Sequence, residues 1–181
     1  MGFKSTTVLL ALVCSIVLVQ VASAGPSIDP CDLPKELQAV VARKYPGSGV
    51  VKISDLNEDG KSFFRKDHRD ACPGAAMVDF YGVSRPTFAM ALLIKNEQRD
   101  EYKTKLVLAH RSSTAWEISV LGATGGPAPV VWSEGPRVYK DVYGRKELHA
   151  SHAVIVFRGY ESWAIVYAWT NNKVDKVWIR D

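Results

Sequence analysis

Residues 153–180 read AVIVFRGYESWAIVYAWTNNKVDKVWIR, and three strands are legible in them. Ala153 to Phe157, Ser162 to Thr170 and Val174 to Arg180 are rich in β-branched and aromatic residues and are separated by short polar breaks. Arg158-Gly159-Tyr160-Glu161 fits a two-residue turn with glycine first, and Asn171-Asn172 fits another, because asparagine tolerates positive φ. Two-residue turns fix strand register. Counting back from them opposes Trp163 to Val156 and Arg180, Ile165 to Val154 and Trp178, Tyr167 to His152 and Lys176, and Trp169 to Val174. The opposite face then carries Ala153, Ile155, Phe157, Ala164, Val166, Ala168, Val177 and Ile179, small and aliphatic residues suited to packing beneath a helix.

The first face alternates bulky aromatics with cations. Lys176 beside Tyr167 and Arg180 beside Trp163 are placed for cation–π contacts. Rings with polar or cationic tips suit a protein or carbohydrate ligand. His152, Trp163, Tyr167, Trp169, Lys176 and Arg180 are therefore the candidate ligand contacts. The same face also reads as a hydrophobic core with its two cations snorkelling at the margin.

Upstream, one helix is expected. Asp32 can cap it with Pro34 in the first turn, Leu33, Leu37, Val40, Val41 and Tyr45 follow at helical spacing, and Pro46-Gly47 stops the run. Ser62 to Asp70 is ambiguous, with a short helix as one reading. Val50 to Ser54, Met77 to Tyr81, Thr87 to Lys95, Lys103 to His110, Ala115 to Leu121, Val130 to Trp132 and Val138 to Tyr143 read as further strands. The expected fold is α+β, a single N-terminal helix packed on a largely antiparallel β-sheet.

Residues 1–24 read as a cleavable signal peptide. Lys4 precedes the apolar run Val8 to Val21, and Ala22-Ser23-Ala24 offers the small residues that a signal peptidase accepts. The remaining 157 residues, 25–181, suit one globular domain. They carry 22 basic and 19 acidic residues, a net +3 with both signs interspersed. No basic stripe marks a nucleic-acid partner, and no later segment is long and apolar enough for stable membrane insertion. The expected location is secreted or periplasmic. Cys14 leaves with the signal, so Cys31 and Cys72 are expected to pair there.

Motifs for chemistry are sparse. Asp55-Leu56-Asn57-Glu58-Asp59-Gly60 matches the opening of a calcium loop, with oxygens from Asp55, Asn57 and Asp59 ahead of a turn glycine. The twelfth position, where an EF-hand wants a bidentate glutamate, is Lys66. The opening also resembles the Asp-rich loops of FG-GAP-type repeats, in which the ninth position is commonly acidic; here it is Phe63. Calcium is the one cofactor the pattern suggests. His149 and His152 are three apart, which would put them on one face of a helix but on opposite faces of a strand, and no H-E-x-x-H pattern occurs; Asp67-His68-Arg69-Asp70 reads as a solvated charged turn. No G-x-S-x-G elbow or phosphate-cradling loop is present. The leading expectation is an exported, non-catalytic binding protein. The alternatives are a small secreted hydrolase using dispersed carboxylates with His68 or His152, and a structural envelope protein.

Overall fold

The computed structural model describes residues 29–96, 101–160 and 162–180. The signal peptide expected over residues 1–24 lies outside the described residues. The chain is mostly antiparallel sheet with two α-helices. In order these are α1 (Lys35–Lys44), β1 (Gly49–Val50), α2 (Glu58–His68), β2 (Ala75–Val78), β3 (Thr87–Asn96), β4 (Glu101–Arg111), β5 (Trp116–Gly125), β6 (Val130–Glu134), β7 (Val138–Lys140), β8 (Glu147–His149), β9 (Val154–Gly159), β10 (Trp163–Thr170) and β11 (Lys173–Arg180). Among the described residues no helix is long and apolar enough to cross a membrane.

Two sheets face one another. The first runs β1-β3-β4-β5, with β2 also paired to β3, and the second runs β11-β10-β9-β6. Between them lies a core of Ala89, Ala91, Leu106 and Leu108 from the first sheet against Ile155, Phe157, Ile165 and Tyr167 from the second. Both outer faces are also covered. Leu37 and Val41 of α1 pack on Met90, Leu92, Val107 and Ala109. Tyr139 and Leu148 of the β7–β8 hairpin pack on Val154, Val156, Val166, Ala168 and Val177. Burial on both faces explains why β3, β4, β9 and β10 read as near-continuous apolar runs instead of alternating ones. Of the small and aliphatic face expected of the last three strands, Val166, Ala168 and Val177 thus lie beneath a hairpin, not beneath the expected helix.

Register agrees with expectation in one hairpin and departs from it in the other. β10 and β11 pair Ile165 with Trp178, Tyr167 with Lys176 and Trp169 with Val174. Asn171 and Asn172 both have positive φ, 50° and 59°, which suits a two-residue turn. A bulge after Ala164 sets Arg180 opposite Ala164, so it no longer faces Trp163. Between β9 and β10, Trp163 pairs with Gly159, Ile165 with Phe157 and Tyr167 with Ile155. The connection is three residues long, one more than a two-residue turn. This slip is odd-numbered, so Ile155 and Phe157 face the inter-sheet core while Val154 and Val156 face outward.

The physical reason lies in Gly159. It is a strand residue whose φ is not positive, so it is not the turn glycine the sequence suggests. A Cβ there would stand 2.8 Å from the Trp163 indole nitrogen, so the missing side chain lets the indole lie against the strand. Tyr160, the other expected turn residue, is buried, with its ring stacked on Phe63 at 5.8 Å and the Arg158 guanidinium 4.7 Å from its centroid.

The helices also correct the sequence reading. Pro34, not Asp32, is the N-cap of α1. A residue before proline is pushed out of the helical region, so Leu33 cannot lead the helix. The second helix, α2, replaces the expectation of a single one. Leu56 and Phe64 join the inter-sheet core from this segment, and burying Phe64 contributes about 1.5–3 kcal/mol. Cys31, ahead of α1, and Cys72, beyond α2, form a disulfide with a Cα–Cα distance of 4.9 Å.

Candidate functional site

The two long sides of the sandwich differ. On one, β6 meets the segment leading into β2, where the Val131 amide donates to the Pro73 carbonyl at 2.8 Å. On the other, the edge strands β5 and β11 flank a groove of about 570 Å3. Ser119, Val120 and Leu121 form one wall, Val174, Lys176 and Trp178 the other, and Tyr167 lines the base. Gly122 makes room for that tyrosine, since a Cβ there would be 2.6 Å from its hydroxyl oxygen. An adjoining hollow of about 380 Å3 shares Lys146, Lys176 and Trp178 and is bounded by Asp141, Val142 and Tyr143.

The rim is apolar and open. Trp178 is 45% exposed, Val120 50%, Val174 39% and Tyr143 66%. Lys176 places its ammonium 5.9 Å from the Tyr167 ring centroid. Lys146 donates to Asp175 at 2.6 Å and to the Lys176 carbonyl at 2.8 Å. That ammonium holds the Asp175 carboxyl below its ordinary range, aided by the Lys176 amide. The Val142 amide donates to the Trp178 carbonyl at 2.8 Å. These bonds occupy acceptors on β11 that an edge strand otherwise offers to another chain.

The six sequence candidates do not converge. Tyr167 is 2% exposed and belongs to the core, and burial raises its phenol pKa. Trp163 is half-buried between Phe157 at 5.0 Å and Trp178 at 6.3 Å. Trp169 lies six residues further along β10, about 20 Å away at strand rise, with its ring 4.9 Å from Tyr81. His152 is outside β9 and abuts Gly82, whose missing Cβ leaves space for the imidazole. Lys176 and Arg180 are exposed on β11. The structure thus brings Tyr167 and Lys176 to the groove, sets Trp163 beside Trp178 in a separate hollow with Gly159 and Ser162, sets Trp169 and His152 at the Tyr81–Gly82 turn, and leaves Arg180 at the strand end. Sequence reasoning missed Val120, Tyr143 and Lys146, which come from elements with no turn-fixed register. It did place Trp178 and Val174 on the Tyr167 face.

The other sequence motifs find local structural roles. Asn57 is the N-cap of α2 and accepts from the Gly60 amide at 2.8 Å. Asp55 accepts from the Lys52 amide at 2.7 Å, and Asp59 is in the first turn of α2. Among the described residues no three His, Cys, Asp or Glu side chains are grouped to hold a metal. Asp79 accepts from the Val83 and Ser84 amides, closing its own turn. His68 ends α2 with its ring 4.9 Å from Phe64 and 4.8 Å from Trp132, and burial lowers its pKa. Burial, then the Asp67 charge, pushes the Tyr160 phenol up to about 12.

Comparison with known proteins gave no match: no family model fits the chain, and no curated protein or solved structure is significantly similar to it.

Proposed function

We propose that the chain is an exported, non-catalytic binding protein, folded as one unit over residues 25–181, that takes its ligand at the groove between β5 and β11. The observation that carries this reading is Trp178, a large indole left 45% exposed at the rim of a groove. Monomeric proteins rarely leave contiguous apolar surface of this kind without a use for it. Val120 and Val174 widen the patch, Tyr143 extends it into the adjoining hollow, and Lys176 supplies a charged margin. Of the two ligand classes in view, aliphatic neighbours favour a protein over a carbohydrate. An apolar centre with a polar rim is interface anatomy, whereas a sugar needs dense hydrogen bonding. The Cys31–Cys72 disulfide and the apolar leader support a secreted or periplasmic location.

The hydrolase reading is less well supported. It needs His68 or His152 paired with a carboxylate, whereas among the described residues neither makes a hydrogen bond or ion pair to one: His68 lies between Phe64 and Trp132, with the Asp67 and Glu134 charges reaching it only through space, and His152 lies against Gly82.

The test is capture from the native envelope or medium with the oxidised chain, then with Trp178→Ala and Val174→Ser. Both positions are exposed, so near-ultraviolet circular dichroism should show an intact fold. Loss of a specifically captured protein in both variants is the expected result. Unchanged capture by W178A places the contact elsewhere, and recovery of polysaccharide alone makes the ligand a carbohydrate.

A further inference from the structure

A further hollow, of about 490 Å3, lies at the C-terminal end of α2. The arm Asp29–Cys31, the segment Lys52–Ser54 and the turn Arg69–Ala71 line it, with Arg65 and Pro73. Its size falls within the range of small-molecule sites. The disulfide ties two of its walls together, since Cys31 is in one and Cys72 follows the other.

The lining carries one net positive charge, from Lys52, Arg65 and Arg69 against Asp29 and Asp70. Lys52 is satisfied by Asp29 at 2.9 Å, and the same carboxylate accepts from the Cys31 amide. Arg65 and Arg69 are one helical turn apart, and among the described residues neither guanidinium makes a hydrogen bond or a direct ion pair, the Arg65 charge reaching Glu58 only through space. Asp70 is the remaining carboxylate in the lining. Pro30, Ile53, Ala71 and Pro73 make the rest of the wall largely apolar.

Arg69 also sits where its backbone resists it. It is the C-cap of α2 with φ 53° and ψ −117°, a region that L side chains rarely adopt. Glycine is the ordinary occupant of a positive-φ helix end. A basic residue near a helix C-terminus complements the dipole, but Arg65, Lys66 and His68 already do so in the last turn. The dipole therefore does not account for a strained arginine one residue further on. Strain of this kind clusters at ligand clamps.

The geometry points to a binding site for a small organic carboxylate, with the carboxylate held by the Arg65 and Arg69 guanidinium groups and its apolar body against Ile53 and the prolines. The guanidinium fork matches a carboxylate with paired hydrogen bonds, which an ammonium cannot supply. This site is separate from the β5–β11 groove, so either proposal can fail alone.

The experiment is a calorimetric titration of the oxidised chain with benzoate at constant ionic strength, with benzyl alcohol as the neutral counterpart. Saturable binding of benzoate, and none of the alcohol, is expected. Arg69→Gly removes the cation and relieves the backbone together. It should weaken benzoate at least about tenfold while melting no lower than the parent chain. Arg65→Gln, on an exposed helix position, should weaken it similarly, which keeps the test decisive if R69G misfolds. Absence of saturable benzoate binding overturns the proposal, as does equal binding by the alcohol, or parental affinity in R69G or R65Q.

Discussion

The β9–β10 register rests on the contact between Gly159 and Trp163, and a double-mutant cycle tests it. A methyl group added at Gly159 would meet Trp163 Nε1 at 2.8 Å and Cε2 at 3.0 Å, both inside ordinary contact distance. The indole cannot swing freely, because Phe157 and Trp178 pack against it at 5.0 and 6.3 Å. Gly159→Ala should therefore cost about 1–3 kcal/mol, the range for an overpacked site. Trp163→Ala removes the obstacle and should cost about 3 kcal/mol, the low end for a large aromatic, because the ring is only half-buried. In the double variant the added methyl meets open space, so the combined loss should fall short of the sum by at least about 1 kcal/mol. Urea denaturation with the disulfide intact, followed by tryptophan fluorescence and far-ultraviolet circular dichroism, measures all four corners. If Gly159 were instead a turn residue needing positive φ, alanine would be penalised by its own backbone whatever stands at 163. Strict additivity would then refute the register described here.

Other consequences are as direct. Replacing Cys31 and Cys72 by serine opens a cross-link of 41-residue separation and should remove about 4 kcal/mol in the chain-entropy account; a thermal melt of the double variant against the parent reads it. Asn57→Ala leaves the Gly60 amide without its acceptor and should cost about 1 kcal/mol, visible as a lower urea midpoint. The lowered His68 pKa makes a pH prediction. Protonation is harder in the folded chain than in the unfolded one. The resulting stability is therefore complete above the ordinary histidine value near 6.5 and is lost as pH falls from there through the folded value. His68→Phe, which keeps a ring between Phe64 and Trp132, should flatten that decline in urea midpoints taken between pH 7.5 and 5.

What the sequence disclosed depended on how local the cause was. Asn171-Asn172 encodes its turn in its own backbone preferences, so the β10–β11 pairing was legible to the residue as far as Ile165. Arg158-Gly159-Tyr160-Glu161 carries an equally good local signal, but tertiary contacts override it: the glycine serves a neighbouring indole and the tyrosine serves the core. Asn57 shows the same ambiguity in another form. Its side-chain oxygen next to acidic neighbours reads as a calcium ligand, yet the same chemistry caps a helix. The helix it caps was hard to see because α2 buries only Gly60 and Phe64 within its length. The cysteine pair needed no register at all, and it was legible from the count of thiols left after the leader. The groove was least visible, since Val120 and Lys146 approach Trp178 only when two sheets and a hairpin turn assemble.

The bridge between Cys31 and Cys72 has a consequence for the order of assembly. Both sulfurs lie ahead of β2, so a polypeptide threading N-terminus first into an oxidising space presents its entire thiol chemistry before any of the long ladders has emerged. For an exported chain, that layout places covalent closure ahead of sheet formation. No third thiol downstream of Cys72 competes for the wrong linkage while the hairpins find their partners.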